Sequence, residues 1–163
     1  MSLVLGIDPG SQYTGYGLVA RQGAGLKMVA AGRIAAKAGA PLPERLRQVF
    51  EGLTDILDRH GPDCVAVEDV FVAKNVRSAA VLGHVRGVVL LAAALSGRSV
   101  FEYSPAEVKV AVVGYGRAEK SQVGLMVKKI LKARENLTED AADALAVAIC
   151  HANQNQALKG ARR

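Results

Sequence analysis

The 163-residue chain has no tryptophan, only two cysteines and no long apolar run. Its longest uncharged apolar stretch, Gly87 to Leu95, ends at Arg86 on one side and falls well short of the roughly 18 residues a membrane-spanning helix needs. No membrane partner is expected. The N-terminus leads straight into a strand-like segment, Leu3 to Ile7, with no basic leader or small-residue cleavage site. Cys64 lies in an apolar run and Cys150 in a helical pattern; neither has metal-ligand spacing, and both stand where small hydrophobes would. A reduced, cytoplasmic setting follows. A Walker loop, a Cys nucleophile and a Ser-His-Asp arrangement are also missing, and Gly15-Tyr16-Gly17 is too short for a dinucleotide fingerprint.

What is present is a chain half hydrophobic by residue count, which excludes disorder and suits one compact domain. That domain is expected over residues 1–157, followed by a short, basic, disordered tail, 158–163. The net charge of +6 is regional. From Phe71 to Arg134 eleven basic residues face three acidic ones, while the other 99 residues carry ten against twelve. Such a band suits a polyanion, because each contacted phosphate releases counterions. A solvated basic face without function would read the same from charge alone.

Three β-like stretches, Leu3 to Pro9, Thr14 to Arg21 and Leu26 to Ala35, are separated by glycine-rich turns that favour antiparallel pairing. Leu46, Val49, Phe50, Leu53, Ile56 and Leu57 mark an amphipathic helix that ends near Gly61-Pro62. Cys64 to Glu68 has the composition of a parallel strand buried on both faces. A helix from about Asn75 to Ser96 is apolar on most of its circumference and carries His84, expected to pack. Gly83 and Gly87 on it would admit another helix, from a second copy of the chain or from the same one. A strand at Ser99 to Tyr103 is followed by a short helix capped by Ser104. Between Glu119 and Arg134 an apolar face leaves Lys128, Lys129 and Lys132 on the other sides, and a last helix starts at Thr138 and frays from Asn153. The fold class is α/β: a mixed five-stranded sheet flanked by helices.

Four acids stand where solubility does not explain them. Asp8 and Glu68 end apolar strands, and Asp140 and Asp143 share a face near a helix start. With strands one and four as neighbours, a terminal helix across their ends would complete a cluster that repels itself unless cations neutralise it. Hard carboxylate oxygens suit Mg²⁺. Two such ions about 4 Å apart can support in-line displacement at a phosphodiester held by the lysines, with no nucleophilic side chain. Taken singly, Asp8 could be a turn-forming residue and Asp140 a first-turn acid favoured by the helix dipole. Asp69 should point to the opposite sheet face from Glu68. His151, two turns beyond Asp143, is not expected to share its metal.

Leu5-Gly6-Ile7-Asp8-Pro9-Gly10 with Thr14-Gly15-Tyr16-Gly17, Val67 to Asn75, Val112-Val113-Gly114-Tyr115-Gly116, Ala118 to Val123 and Asp140 to Ala146 together resemble RuvC, the bacterial Holliday-junction resolvase family of the RNase H-like superfamily. The resemblance covers nearly the whole chain. It implies that Asp8, Glu68, Asp140 and Asp143 are metal-binding catalytic carboxylates for Mg²⁺, with Mn²⁺ able to substitute. It also implies that Lys109 and Lys120 serve cleavage and that Phe71 stacks on an unpaired base at the junction centre. Lys74, Arg77, Lys128, Lys129 and Lys132 are further candidate DNA contacts. The implied protein is a homodimer that nicks a four-way junction symmetrically and works with RuvA and RuvB, its dimer contact assigned to Gly83 and Gly87. Asp69 departs from the glutamine common in relatives. The rival readings are a non-catalytic junction binder and an actin-like ATPase module, the latter needing two such domains around a nucleotide.

Overall fold

The computed structural model describes residues 2–69, 75–134 and 136–160, with side chains as far as residue 154. Phe71 and Lys74 lie outside the described residues. Strands β1 (Leu3–Asp8), β2 (Tyr13–Gln22) and β3 (Gly25–Ala35) form an antiparallel meander; β4 (Cys64–Glu68) and β5 (Ser99–Tyr103) add in parallel on the other side of β1. The sheet order is β3-β2-β1-β4-β5, so the first and fourth strands are neighbours, the condition on which the carboxylate cluster depends. Helices α1 (Leu42–His60) and α2 (Val76–Leu95) cover one face; α3 (Pro105–Val113), α4 (Lys120–Leu131) and α5 (Glu139–Gly160) cover the other.

The two-residue period of a strand decides which side chain meets which layer. Leu5, Ile7, Val65 and Val67 pack with Leu53, Leu57 and Val89 beneath α1 and α2, whereas Val4, Cys64 and Ala66 pack with Leu145 and Ile149 of α5. In the same alternation Asp8 and Glu68 belong to the α5 face. Ile7 is opposite Val67, so the two acids leave the sheet side by side.

Local chemistry ends the helices where they are needed. Gly61 closes α1 in the left-handed conformation, with φ 54°, and donates its N–H to the Leu57 carbonyl. Ser104 and Glu107 form a reciprocal capping box on α3. At the head of α5, Thr138 Oγ1 accepts from the Ala141 amide at 3.3 Å. The sheet admits α5 unusually closely because side chains are missing beneath it: a Cβ on Gly6 would collide with the Ala144 carbonyl, and one on Gly15 with the Asp140 carbonyl. Helix α5 continues to Gly160, past the fraying point expected at Asn153 and into the segment 158–163. Arg21 fastens it there, with Nη2 donating to the Ala152 carbonyl at 2.7 Å.

Among the described helices α2 alone is long and apolar enough to cross a membrane, although its uncharged run is short. Here it lies along α1, with Val85, Val89, Ala92 and Ala93 buried. Mid-helix Arg86 is ion-paired to Glu102 at 2.9 Å and to Asp69 at 3.4 Å. Its other side is bare: a Cβ on Gly83 or Gly87 would meet no atom within 4 Å, which removes the intramolecular helix contact as a use for these glycines among the described residues. His84, expected to pack, is exposed, because it lies off the stripe of α2 that Val85, Val89 and Ala93 bury.

Candidate active site

Asp8, Glu68 and Asp143 line one cleft of about 230 Å³, with Lys109 of α3 and Lys120 of α4 on its walls. Two parallel strand ends supply the first two acids, and the close seat of α5 on Gly6 and Gly15 brings in the third. Lys120 Nζ donates to Asp143 Oδ2 at 3.0 Å and to Glu139 Oε1 at 3.1 Å.

The cleft is electrostatically costly. Burial, then repulsion from Glu68 and Asp143, pushes the Asp8 carboxyl up to about 8; it holds its proton toward Glu68, and Lys120 opposes the rise. Glu68 is raised by burial and by Asp143, against the hydrogen bond from Asp8 and the charges of Lys120 and Lys109. Asp143 is also raised, burial outweighing the hydrogen bond and charge of Lys120. Burial alone would lower Lys120, but its hydrogen bonds to Asp143 and Glu139 reverse that and hold it firmly protonated.

Asp140 is the member the structure leaves aside. It sits one turn before Asp143, outside the lining of the cleft, with Arg33 Nη1 of β3 at 3.7 Å from its Oδ2. The Arg33 guanidinium stacks over Tyr13, 3.9 Å from the ring centroid. No group of three His, Cys, Asp or Glu side chains among the described residues is drawn tightly enough to enclose an ion; the Lys120 ammonium neutralises Asp143 instead. The donor set nevertheless fits a hard divalent cation: three oxygen ligands whose protonation reflects crowded negative charge, in a cleft open to water.

Asp69 points away from the cleft to Arg86, as the strand period predicts. Lys128 borders a groove next to the cleft, Lys129 and Lys132 are exposed, and Arg77 lines a separate polar cavity with Arg45 and Ser11. His151 is buried: Nδ1 lies 2.7 Å from the Tyr103 hydroxyl and Nε2 3.3 Å from Cys64 Sγ, an internal strut rather than a ligand. Sequence reasoning did not single out Arg33 or Glu139. Glu139 adjoins a flagged acid at a helix start and was open to inspection, whereas nothing local to β3 marks Arg33.

Residues 4–151 match the family described as crossover junction endodeoxyribonuclease RuvC. The crossover junction endodeoxyribonuclease RuvC of Geobacter sp. (strain M21) is 50% identical over 163 residues, covering 98% of this chain and 99% of that protein. The chain belongs to the RuvC family. RuvC of Citrifermentans bemidjiense is 52% identical over 151 residues, covering 93% of this chain and 92% of its own. The structure of T. thermophilus RuvC in complex with a Holliday junction substrate superposes with a TM-score of 0.90 at 35% identity, over 96% of both chains. The yeast mitochondrial Holliday junction resolvase Ydc2 shares the fold, with a TM-score of 0.73 at 14% identity over 98% of this chain and 81% of its own. The mixed five-stranded sheet is thus that of RuvC and related resolvases, and the ATPase-module reading of Asp8-Pro9-Gly10 gives way to a family match along nearly the whole chain.

Proposed function

We propose that this chain resolves four-way DNA junctions, nicking two opposed strands symmetrically to leave 5′-phosphate and 3′-hydroxyl ends, in homologous recombination and DNA repair in the cytoplasm. The observation that carries the reading is the single cleft in which Asp8, Glu68 and Asp143 meet Lys109 and Lys120, in a member of the RuvC family. Asp8, Glu68 and Asp143 would hold Mg²⁺, two ions per site with Asp140 completing the set, and Mn²⁺ could substitute. When bound, the metal supplies positive charge that polarises the scissile phosphate and makes water a competent nucleophile at neutral pH.

The chain's own residues do the rest. Asp8 would give up its proton once cations compensate the crowded negative charge, so that the carboxylates serve as ligands rather than as proton carriers. Lys109 and Lys120 present ammonium groups to the non-bridging oxygens, where negative charge grows during in-line displacement. The cleft walls, Val108, Val123 and Ala146, keep one side of the reacting phosphate dry. The basic band, including Lys74, Arg77, Lys128, Lys129 and Lys132, would bind junction arms, and Phe71 would prop the exchange point.

Symmetric nicking needs two clefts related by a twofold axis, and the bare face of α2 around Gly83 and Gly87 suits a second copy. Val76, Leu91 and Leu95 on that helix are 87%, 53% and 70% exposed, an apolar surface that an isolated chain would leave wet. By resemblance to the family, RuvA and RuvB would be its protein partners.

The test is cleavage of an end-labelled four-way junction against linear duplex of the same sequence, with Mg²⁺, Mn²⁺ or Ca²⁺. Paired nicks at symmetric positions, in the junction only and with Mg²⁺ or Mn²⁺, are expected. Junction binding without nicking across a panel of sequences would overturn the reading in favour of a non-catalytic junction binder.

A further inference from the structure

Among the described residues, nothing requires position 124 to be glycine. Gly124 lies inside α4, where glycine is a poor helix former, and a Cβ there would meet no atom of the described residues within 4 Å, so they would accept alanine or larger. Beside it Leu125 is 70% exposed. Both border a groove of about 430 Å³ between α4 and the start of α5, and this groove runs into the carboxylate cleft, because Lys120 and Asp143 line both.

The groove's chemistry is graded along its length. Lys120, Gly124 and Lys128 follow at four-residue steps on one stripe of α4, a rise of about 12 Å from the first to the last. An ammonium group thus stands at each end of a segment where the helix backbone is bare. Leu125 and Leu137 give the groove an apolar wall, and Ser121 and Thr138 add hydroxyls. Its two acids, Glu139 and Asp143, are both paired with Lys120, at the end of the groove that opens into the cleft. A ligand with anionic groups at both ends and a flatter, less polar body between them matches this order: phosphate, sugar and base, phosphate.

We propose that this groove seats the nucleotide of the cleaved strand next to the scissile phosphate. Its sugar passes close over Gly124, its base rests against Leu125 and Leu137, and its outer phosphate meets Lys128. The glycine is then a clearance for backbone approach, and the exposed leucine a contact for the base. The assignment rests on the junction-cleaving reading and deepens it by giving that site a neighbouring subsite, one that selects among nucleotides flanking the cut.

The experiment is single-turnover cleavage of a labelled junction by the full chain and by Gly124→Leu, with base-free spacers scanned one at a time through the nucleotides on either side of the cut. Filling the groove should slow the intact junction about tenfold to a hundredfold, as misplacement of a reacting group does. The melting temperature should not fall, and the rise produced by Ca²⁺ should match the parent's. At one flanking position the spacer should slow the parent but add little to the loss in Gly124→Leu, the non-additivity expected when both changes remove the same contact, one by taking away the base and the other by occupying its place. Leu125→Glu, at an exposed position, should slow cleavage in the same way and so covers the case in which Gly124→Leu does not fold. A parent that cuts junctions and is matched by both variants overturns the subsite alone. A rate loss equal at every spacer position also overturns it. A parent that cuts no junction overturns the functional reading and the subsite with it.

Discussion

Replacing Asp8 by asparagine should stabilise the metal-free protein while removing its activity. In the unfolded chain this carboxyl ionises near 3.8; in the folded cleft burial and its acidic neighbours push it up to about 8. Between those values the native state keeps a proton that the unfolded state has released. The group's favourable contribution is therefore complete below pH 3.8 and drains away as pH rises toward 8. At about 1.4 kcal/mol per pH unit, the interval from 3.8 to neutrality amounts to a ceiling of about 4 kcal/mol lost to this one carboxylate. Water entry and rotation of the acids away from each other reduce that, so about 2 kcal/mol is a fair expectation, near the ordinary cost of burying an unsatisfied polar group. Asparagine keeps the shape, carries no charge and can donate its amide N–H to Glu68, so it recovers that amount. In a domain of this size the recovery corresponds to a melting temperature higher by about 4–8 °C. The assay is thermal unfolding in EDTA at a series of pH values, with junction binding and cleavage measured alongside. The variant should lead at pH 7.5, the gap should close by pH 4, and Mg²⁺ should raise the parent more than the variant. A variant less stable than the parent at pH 7.5, or a gap that does not change with pH, would refute the reasoning.

Lys120→Met removes the charge that meets Asp143 and should slow junction cleavage about a hundredfold, the scale of losing one preorganised donor to a developing oxyanion; single-turnover rates check this, and a rate near the parent's would remove Lys120 from the chemistry. Gly83→Asp puts charge on the bare face of α2 and should convert dimers to monomers; an unchanged mass by light scattering would reject that face as the contact. His151 is lowered from 6.5 by burial, so its contribution to stability is complete above pH 6.5 and is lost as pH falls below it. Measured in the Asp8→Asn background, where the opposing titration is gone, His151→Leu should flatten the loss of melting temperature between pH 7 and pH 5; an unaltered slope would mean another group carries it.

The sheet was legible because strands and helices here obey their own periods. Cys64 to Glu68 is a run with no room for a helix, and Ser99 to Tyr103 is bounded by a glycine turn and a capped helix start. Asp8 and Glu68 were legible for the same reason: a charge at the end of an apolar strand needs a local explanation, and parallel register supplies one. Asp143 and Asp140 could be paired by helical spacing, but not their different surroundings. Arg33, which draws Asp140 aside, reaches it from a strand more than one hundred residues earlier, and no local pattern encodes such a contact. The exposure of His84 was hidden likewise, because α2 is apolar on most of its circumference and its sequence does not say which side meets α1.

Glycine carried more information than its use as a turn marker suggested. Gly15-Tyr16-Gly17 is too short for a nucleotide fingerprint, yet with Gly6 it removes the side chains that would hold α5 off the sheet. That closeness brings Asp143 within the same cleft as Asp8 and Glu68, so the site depends on groups that are absent as much as on acids that are present. Alanine at Gly15 would press on the Asp140 carbonyl at the head of α5 and move the acids of that helix before it disturbed the hydrophobic core. The open glycines would work by the same physics with the partner outside the chain: Gly83 and Gly87 leave one helix face open, where a second copy is proposed to dock, and Gly124 leaves another, proposed for the strand being cut. On that reading two kinds of glycine, one filled by the fold and one left open among the described residues, would separate the residues that build the cleft from those that meet what comes to it.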